Sequence, residues 1–113
     1  MLIHQQCSKL LVQLEQDLKQ LQLWSEQAPS NEQLNSVQPF AVDTLAFEQW
    51  LQFIFIPKMT VLVNSQSQLP SSMAIHPMAE ESFKQQNESF NTLLTTINQI
   101  DQLVANQNSI RAQ

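Results

Sequence analysis

The chain of 113 residues contains no glycine at all. Glycine is the residue that adopts positive φ angles most easily and lets the backbone approach a ligand closely. Its absence excludes the Walker phosphate-binding loop and the G-x-G-x-x-G dinucleotide turn, and it excludes the G-x-S-x-G turn of serine hydrolases. Tight hairpins between antiparallel strands also depend on glycine. The sequence therefore argues against enzymes built on those motifs and against an antiparallel sheet.

The chain has few charged residues, and most of them are acidic. Ten acidic residues stand against five basic ones, which gives a net charge of −5. Direct binding to nucleic acid needs a basic stripe, and an anionic membrane surface also attracts basic clusters, so we expect neither. No apolar run approaches the roughly 20 residues needed to span a bilayer, and the first residues lack the features of a signal peptide. We expect a cytoplasmic protein whose residues 1–113 form one domain.

Hydrophobic periodicity predicts an all-α fold, a compact four-helix bundle or array. The predicted helices cover approximately residues 2–24, 44–64, 77–86 and 89–106. In the first helix, apolar residues recur every three or four positions. The second is apolar on nearly all sides, which is typical of a central helix, and Asp43 or Thr44 is its expected N-cap. The pair His76-Pro77 is expected to open the third helix, with proline at its first position.

The segment LQFIFIPKM, residues 51–59, is the most apolar part of the chain and contains Pro57. A strand is disfavoured because the apolar residues continue past the proline without turn residues. Within a helix, Pro57 removes the hydrogen bond to the Phe53 carbonyl and crowds that carbonyl, which predicts a kinked helix. The kink either fits the helix to its neighbours or opens a groove beside Lys58. A helix that ends near Ile56 and restarts is also open, because a residue before proline avoids helical angles.

Residues that could carry chemistry are better explained by structural roles. His4 and Cys7 lie three apart on one helix, but two ligands do not make a metal site. Cys7 falls on the apolar stripe, where a free cysteine is usually a small core residue, and as the single cysteine it cannot form an internal disulfide. Glu80 and Glu81 are adjacent and favour the start of a helix through its dipole. We therefore predict no catalytic residue, no metal and no cofactor.

Several short motifs resemble the YqcC-like family, which comprises small bacterial proteins of unknown function. The motifs are QPF at 38–40, DT at 43–44, WLQ at 50–52, IPKM at 56–59, LP at 69–70 and Pro77. The resemblance extends roughly from Leu10 to Leu103 and is densest between Gln38 and Met59. It implies a compact all-α domain, in agreement with the periodicity.

The resemblance also implies a relation to an enzyme. Members of the family are often encoded beside a tRNA pseudouridine synthase, and some carry that enzyme's name. Such synthases have a catalytic aspartate in a G-R-L-D loop on a mixed α/β fold. This chain has no glycine, and its only arginine is Arg111. The resemblance therefore implies a neighbour of the synthase rather than the synthase itself.

Two functional hypotheses follow from these observations. The first is a non-enzymatic interaction or accessory protein with a protein partner, for which the tRNA pseudouridine synthase is the candidate. Its expected surface comprises Gln38, Phe40, Asp43, Thr44, Trp50, Lys58 and Met59. The alternative is a helical protein that binds a small apolar ligand in a pocket near Trp50 and Pro57. Core packing is the structural explanation for the two tryptophans.

Overall fold

The structure is a computed structural model that describes residues 2–41, 43–70, 73–86 and 88–111. Every regular element in these ranges is helical, which confirms the predicted all-α fold class. The α-helices are α1 Leu2–Gln20, α2 Asn31–Leu34, α3 Phe47–Trp50, α4 Ile56–Asn64, α5 Ile75–Ser82 and α6 Asn91–Arg111. Short 3-10 turns cover Pro39–Ala41 and Glu88–Phe90, and a π-helical turn, Leu51–Phe55, joins α3 to α4.

The core lies between α1 and the helices that pack on it. Helix α1 packs against α6 and α4, and α5 also packs against α6. The predicted stripe on α1 is buried where it meets these helices, with Cys7, Leu14 and Leu18 completely inaccessible. Among the described residues, no helix combines the length and the apolar character that crossing a bilayer requires.

Helix α1 ends four residues earlier than predicted, at Gln20 rather than Trp24. Gln22 adopts a left-handed φ of 62°, which reverses the chain. The Leu23 N–H then donates to the Leu18 carbonyl at 2.8 Å, and the Gln22 N–H donates to the Lys19 carbonyl at 3.1 Å. This pair of bonds is the Schellman motif that normally uses glycine. The sequence offered no glycine to mark the end of the helix.

The second predicted helix begins at Phe47 rather than near residue 44. Its N-cap position is Ala46, and neither Asp43 nor Thr44 caps it. The Gln49 side chain reaches back to the N-cap residue, where its Oε1 accepts from the Ala46 N–H at 3.0 Å. The prediction that Asp43 or Thr44 is the N-cap is therefore wrong.

The chain passes through Pro57 as a helix. Ile56 has helical angles, with φ −61° and ψ −47°, and its N–H donates to the Leu51 carbonyl five residues earlier. Helix α4 then continues to Asn64, with the proline in its first turn. The irregularity predicted at the proline is thus a π turn just before it, and the helix does not end at Ile56.

The last two helices also differ from their predicted limits. Helix α5 is Ile75–Ser82 rather than 77–86, because a distant carboxylate caps its start. Asp101 on α6 accepts from the Ile75 N–H at 3.1 Å and from the His76 N–H at 2.8 Å. Helix α6 is Asn91–Arg111 rather than 89–106, since Glu88–Phe90 forms a 3-10 turn and the helix continues past Asn106.

Candidate functional site

The connection between α1 and α3 is held in place by its own polar side chains. The Thr44 hydroxyl donates to the Gln33 carbonyl at 2.7 Å, and the Gln33 amide donates to the Thr44 carbonyl at 3.3 Å. The Ser36 hydroxyl donates to the Asp43 carboxylate. These bonds fasten α2 to the turn before α3. Neither Asp43 nor Thr44 is at the N-cap position of the next helix, since that position is Ala46.

The turn that contains the QPF motif has an unusual backbone. Phe40 and Ala41 are consecutive residues with positive φ angles of 57° and 49°. A left-handed residue other than glycine costs roughly 1–2 kcal/mol. The conformation is held by hydrogen bonds, since the Ala41 N–H donates to the Gln38 carbonyl and the Leu45 N–H donates to the Ala41 carbonyl, both at 2.9 Å. The turn fixes the position of the Phe40 ring.

The Phe40 ring belongs to a continuous aromatic cluster. It meets the Trp50 ring edge-on at a centroid distance of 4.8 Å. Trp50 also lies parallel to Phe47 at 5.9 Å and to Phe55 at 5.5 Å. Aromatic pairs at such distances stabilise a structure beyond the area that they bury. Phe47 and Phe55 are buried, whereas Phe40 and Trp50 are only half-buried at the edge of the cluster.

The π turn places Gln52 where it can hold the connection. Its side chain is buried, its Oε1 accepts from the Ser25 N–H, and its Nε2 donates to the Ser25 carbonyl, each at 2.8 Å. One side-chain amide thus satisfies both backbone groups of Ser25, as a neighbouring strand would. The bonds attach the chain after α1 to the helix that carries Trp50.

The structure brings together most of the residues predicted for the interaction surface. Four of them, Gln38, Phe40, Asp43 and Thr44, lie in or beside the same turn, and Trp50 joins them through its contact with Phe40. The other two lie beyond the π turn on α4. Lys58 is exposed there, while Met59 is buried in the core with 2% of its surface accessible.

Three buried polar residues were not anticipated from the sequence. Besides Gln52, they are Asp17 and Thr96, whose side chains meet inside the protein. The Thr96 hydroxyl donates to Asp17 at 2.6 Å, and the Gln13 amide donates to the other carboxylate oxygen at 2.8 Å. These bonds link α1 to α6. The available signal was a polar residue beside an apolar stripe, since Asp17 directly precedes Leu18 in the sequence.

The candidate metal pair lies at the start of α1. Burial raises the pKa of the Cys7 thiol to about 11, so the unreactive thiol form prevails at neutral pH. The His4 Nε2 donates to the Ser67 carbonyl at 2.7 Å, and its buried Nδ1 has no hydrogen-bond partner. Within the described part of the chain, no three metal-ligating side chains come together. His4 therefore holds α1 to the segment after α4.

Two cavities bear on the ligand alternative. The first, of about 130 Å³, lies between α1 and α4 and is lined partly by Leu11, Val12, Ile56 and Val63. The second, of about 170 Å³, lies between the end of α1 and the start of α6 and includes Asp17 in its lining. Neither cavity is lined by Trp50 or Pro57. These two cavities therefore lie apart from the place where the alternative puts its ligand.

Comparison with known proteins gives close relatives over nearly the whole chain. A family model described as tRNA pseudouridine synthase C matches residues 6–103. An uncharacterised protein of Haemophilus influenzae is 41% identical over 101 residues, which cover 89% of this chain and 94% of that protein. The uncharacterised protein YqcC of Escherichia coli is 31% identical over 109 residues, which cover 96% of this chain and 100% of YqcC.

A longer relative carries an enzyme name. A protein of Pectobacterium carotovorum named tRNA pseudouridine synthase C is 37% identical over 67 residues. The match covers 59% of this chain but only 18% of that protein. More than four-fifths of the enzyme-named relative therefore lies outside the region of similarity.

The fold is shared with a solved structure. The solution NMR structure of Escherichia coli YqcC superposes with a TM-score of 0.82 at 31% sequence identity, and the match covers 93% of this chain and 90% of the NMR chain. The agreement includes the all-α architecture described above. Since the family model and the solved structure both match most of its length, the chain belongs to the YqcC-like family of small bacterial proteins.

Proposed function

We propose that the chain is a non-enzymatic accessory protein that binds a tRNA pseudouridine synthase. The observation that carries the proposal is the Pectobacterium protein named for that enzyme, in which a 67-residue region similar to this chain forms 18% of a longer polypeptide. Segments joined in one polypeptide stay at high effective concentration and can interact even when their affinity is modest. A separate chain of the same kind needs a stable interface to achieve the same association.

The composition supports an accessory role over an enzymatic one. The chain has no glycine, and its only arginine is Arg111, so it lacks the residues of the G-R-L-D loop. The acidic residues with hydrogen bonds to distant parts of the chain serve the fold. Asp17 receives bonds from Gln13 and Thr96, and Asp101 caps α5. Their contacts give each carboxylate a structural role.

The surface that we assign to the partner is the turn before α3 together with Trp50. It contains Gln38, Phe40, Asp43 and Thr44, which the structure holds in one place. A partly exposed Trp beside a fixed turn is the kind of anchor around which protein interfaces concentrate their binding energy. Met59 belongs to the core, where it anchors α4.

The test is a binding measurement with purified proteins. The chain and the synthase of its source bacterium are mixed at micromolar concentrations and analysed by size-exclusion chromatography and calorimetry, with serum albumin as the control partner. A defined complex with the synthase alone is expected. Absence of a complex at these concentrations would refute the partnership. In a parallel assay, formation of pseudouridine in tRNA by the purified chain alone would refute the non-enzymatic role.

A further inference from the structure

The chain between its second and third lysines carries only negative charge. Lys19 and Lys58 bound a stretch that has no basic residue but contains Glu26, Glu32, Asp43 and Glu48. The ion pairs found among the described residues use other acids, those of α1 and α5. Among the basic residues whose side chains the structure describes, none thus neutralises this part of the surface through an ion pair.

An apolar centre lies within the same part of the molecule. Val37 is 93% exposed, and it lies between Ser36, which donates to Asp43, and Gln38, whose N–H donates to the Ser36 hydroxyl at 3.1 Å. Phe40 in the neighbouring turn and Trp50 at the end of α3 together form a half-buried aromatic edge. Burial of a valine side chain is favourable, and a valine that is almost fully exposed has not yet gained this free energy. This centre is therefore available for contact with a partner.

Two acidic residues lie on the short helices that precede and follow this turn. Glu32 is exposed on α2, next to Gln33, which is bonded to Thr44. Glu48 is in the first turn of α3, next to Phe47, whose ring contacts that of Trp50. We call the surface formed by Glu32, Val37, Phe40, Asp43, Glu48 and Trp50 the acidic-aromatic face. It combines exposed apolar surface with carboxylates on the turn and on the two helices next to it.

We propose that the acidic-aromatic face binds a basic protein segment that presents arginine or lysine side chains around an apolar residue. The apolar residue covers Val37 and the edge of Phe40 and Trp50, and the basic groups approach Glu32, Asp43 and Glu48. Complementary charge steers association and fixes the register of a complex, and a guanidinium group also binds well against a tryptophan ring. This inference rests on the proposed function, because an enzyme that acts on tRNA carries basic groups that neutralise phosphates.

Two pairs of variants test the inference in binding experiments with the synthase. Glu32→Gln/Glu48→Gln removes two charges from the face, and the control Glu80→Gln/Glu81→Gln removes two charges from α5. Val37→Ser shortens the exposed valine of the face, and the control Val61→Ser changes another valine that is 65% exposed. Urea unfolding of all four variants checks that each remains folded.

We expect the double variant of the face to weaken binding about fivefold at low salt, and this difference should shrink as salt is raised. Val37→Ser should also weaken binding, whereas both control variants should bind as the unmodified chain does. If the unmodified chain binds and the face variants match their controls, the inference is overturned while the proposed function stands. If the unmodified chain does not bind the synthase, both are overturned.

Discussion

Replacement of glutamine by glycine at two helix ends should make this protein more stable. Gln22 and Gln66 have φ angles of 62° and 53°, and they follow the ends of α1 and α4. After α4 the bonds repeat those after α1, because the Ser67 N–H donates to the Leu62 carbonyl at 2.9 Å and the Gln66 N–H donates to the Val63 carbonyl at 3.2 Å. Both glutamines are exposed, so their side chains contribute little to packing.

The expected gain is the difference between two opposing terms. A left-handed residue with a Cβ costs roughly 1–2 kcal/mol relative to glycine. Glycine in turn raises the conformational entropy of the unfolded chain, which opposes folding by roughly 0.5–1 kcal/mol. The net gain in the free energy of unfolding is therefore about 0.5–1 kcal/mol for each site. At about 4 °C for each kcal/mol, one replacement should raise the Tm by about 2–4 °C.

The two gains should add. Helix α1 has 19 residues and is thus about 28 Å long. Gln22 follows its end, whereas Gln66 lies next to Ser67, which accepts the bond from His4 near its start. Sites so far apart behave independently. The double variant should accordingly gain about 1–2 kcal/mol.

The assay is urea unfolding at 25 °C, followed by circular dichroism. The matched control is Gln16→Gly, an exposed position within α1, where glycine should cost about 1 kcal/mol. The same substitution is thus expected to have opposite signs at the two kinds of position. If Gln22→Gly or Gln66→Gly destabilises the protein as much as Gln16→Gly does, the left-handed interpretation of these helix ends is refuted.

Three further predictions concern single side chains. Asp101→Ala should lower the free energy of unfolding by about 2 kcal/mol in urea experiments, because α5 loses its cap. Asp101→Asn should lower it less, since an amide oxygen still accepts one hydrogen bond. Equal decreases for the two variants would contradict the capping role of Asp101. Gln52→Met should lower the free energy of unfolding by about 2 kcal/mol, because it removes the hydrogen bonds to Ser25. Gln16→Met is the control at an exposed position, and an equal decrease there would contradict a specific role of Gln52. Burial raises the pKa of the Cys7 thiol from 9.0 to about 11. The thiol should therefore react with Ellman's reagent at pH 8 only when urea unfolds the protein. Fast reaction of the folded protein would contradict its burial. The thiol of the unfolded chain loses its proton at a lower pH than that of the folded protein, so the free energy of unfolding should decrease between pH 9 and about 11. Cys7→Ala should lack this contribution to the decrease.

The sequence predicts the elements of this fold better than their ends. The stripe on α1 contains Cys7, Leu14 and Leu18, all inaccessible in the structure, because a period of 3.6 residues is visible in the sequence without knowledge of the partner helices. The end of α1 was missed because Gln22 adopts an angle for which glutamine gives no signal. The start of α5 was missed because its cap, Asp101, is 26 residues away from Ile75. Such contacts depend on the tertiary structure.

The candidate surface shows the same limit. The family resemblance indicates its residues, and the structure shows how Phe40 and Trp50 come together. The left-handed angles of Phe40 and Ala41 could not be inferred, since neither residue favours them. Asp43 and Thr44 were expected to cap a helix, but their bonds with Ser36 and Gln33 involve a connection whose path the sequence does not specify.

The π turn is a case in which the sequence did hold an unused signal. The residues that the helix buries most completely on one side are Phe47, Leu51, Phe55 and Met59, spaced four apart. In a regular helix of 3.6 residues per turn, each step of four overshoots one turn by about 40°, so the stripe would rotate away from the core. In a π turn, each N–H donates to the carbonyl five residues earlier, so the turn contains more residues than an α-helical turn and the drift is reduced. The same widened turn brings the chain to Pro57 in helical conformation. A four-residue apolar period directly before a proline is therefore better explained by a π turn than by a kink.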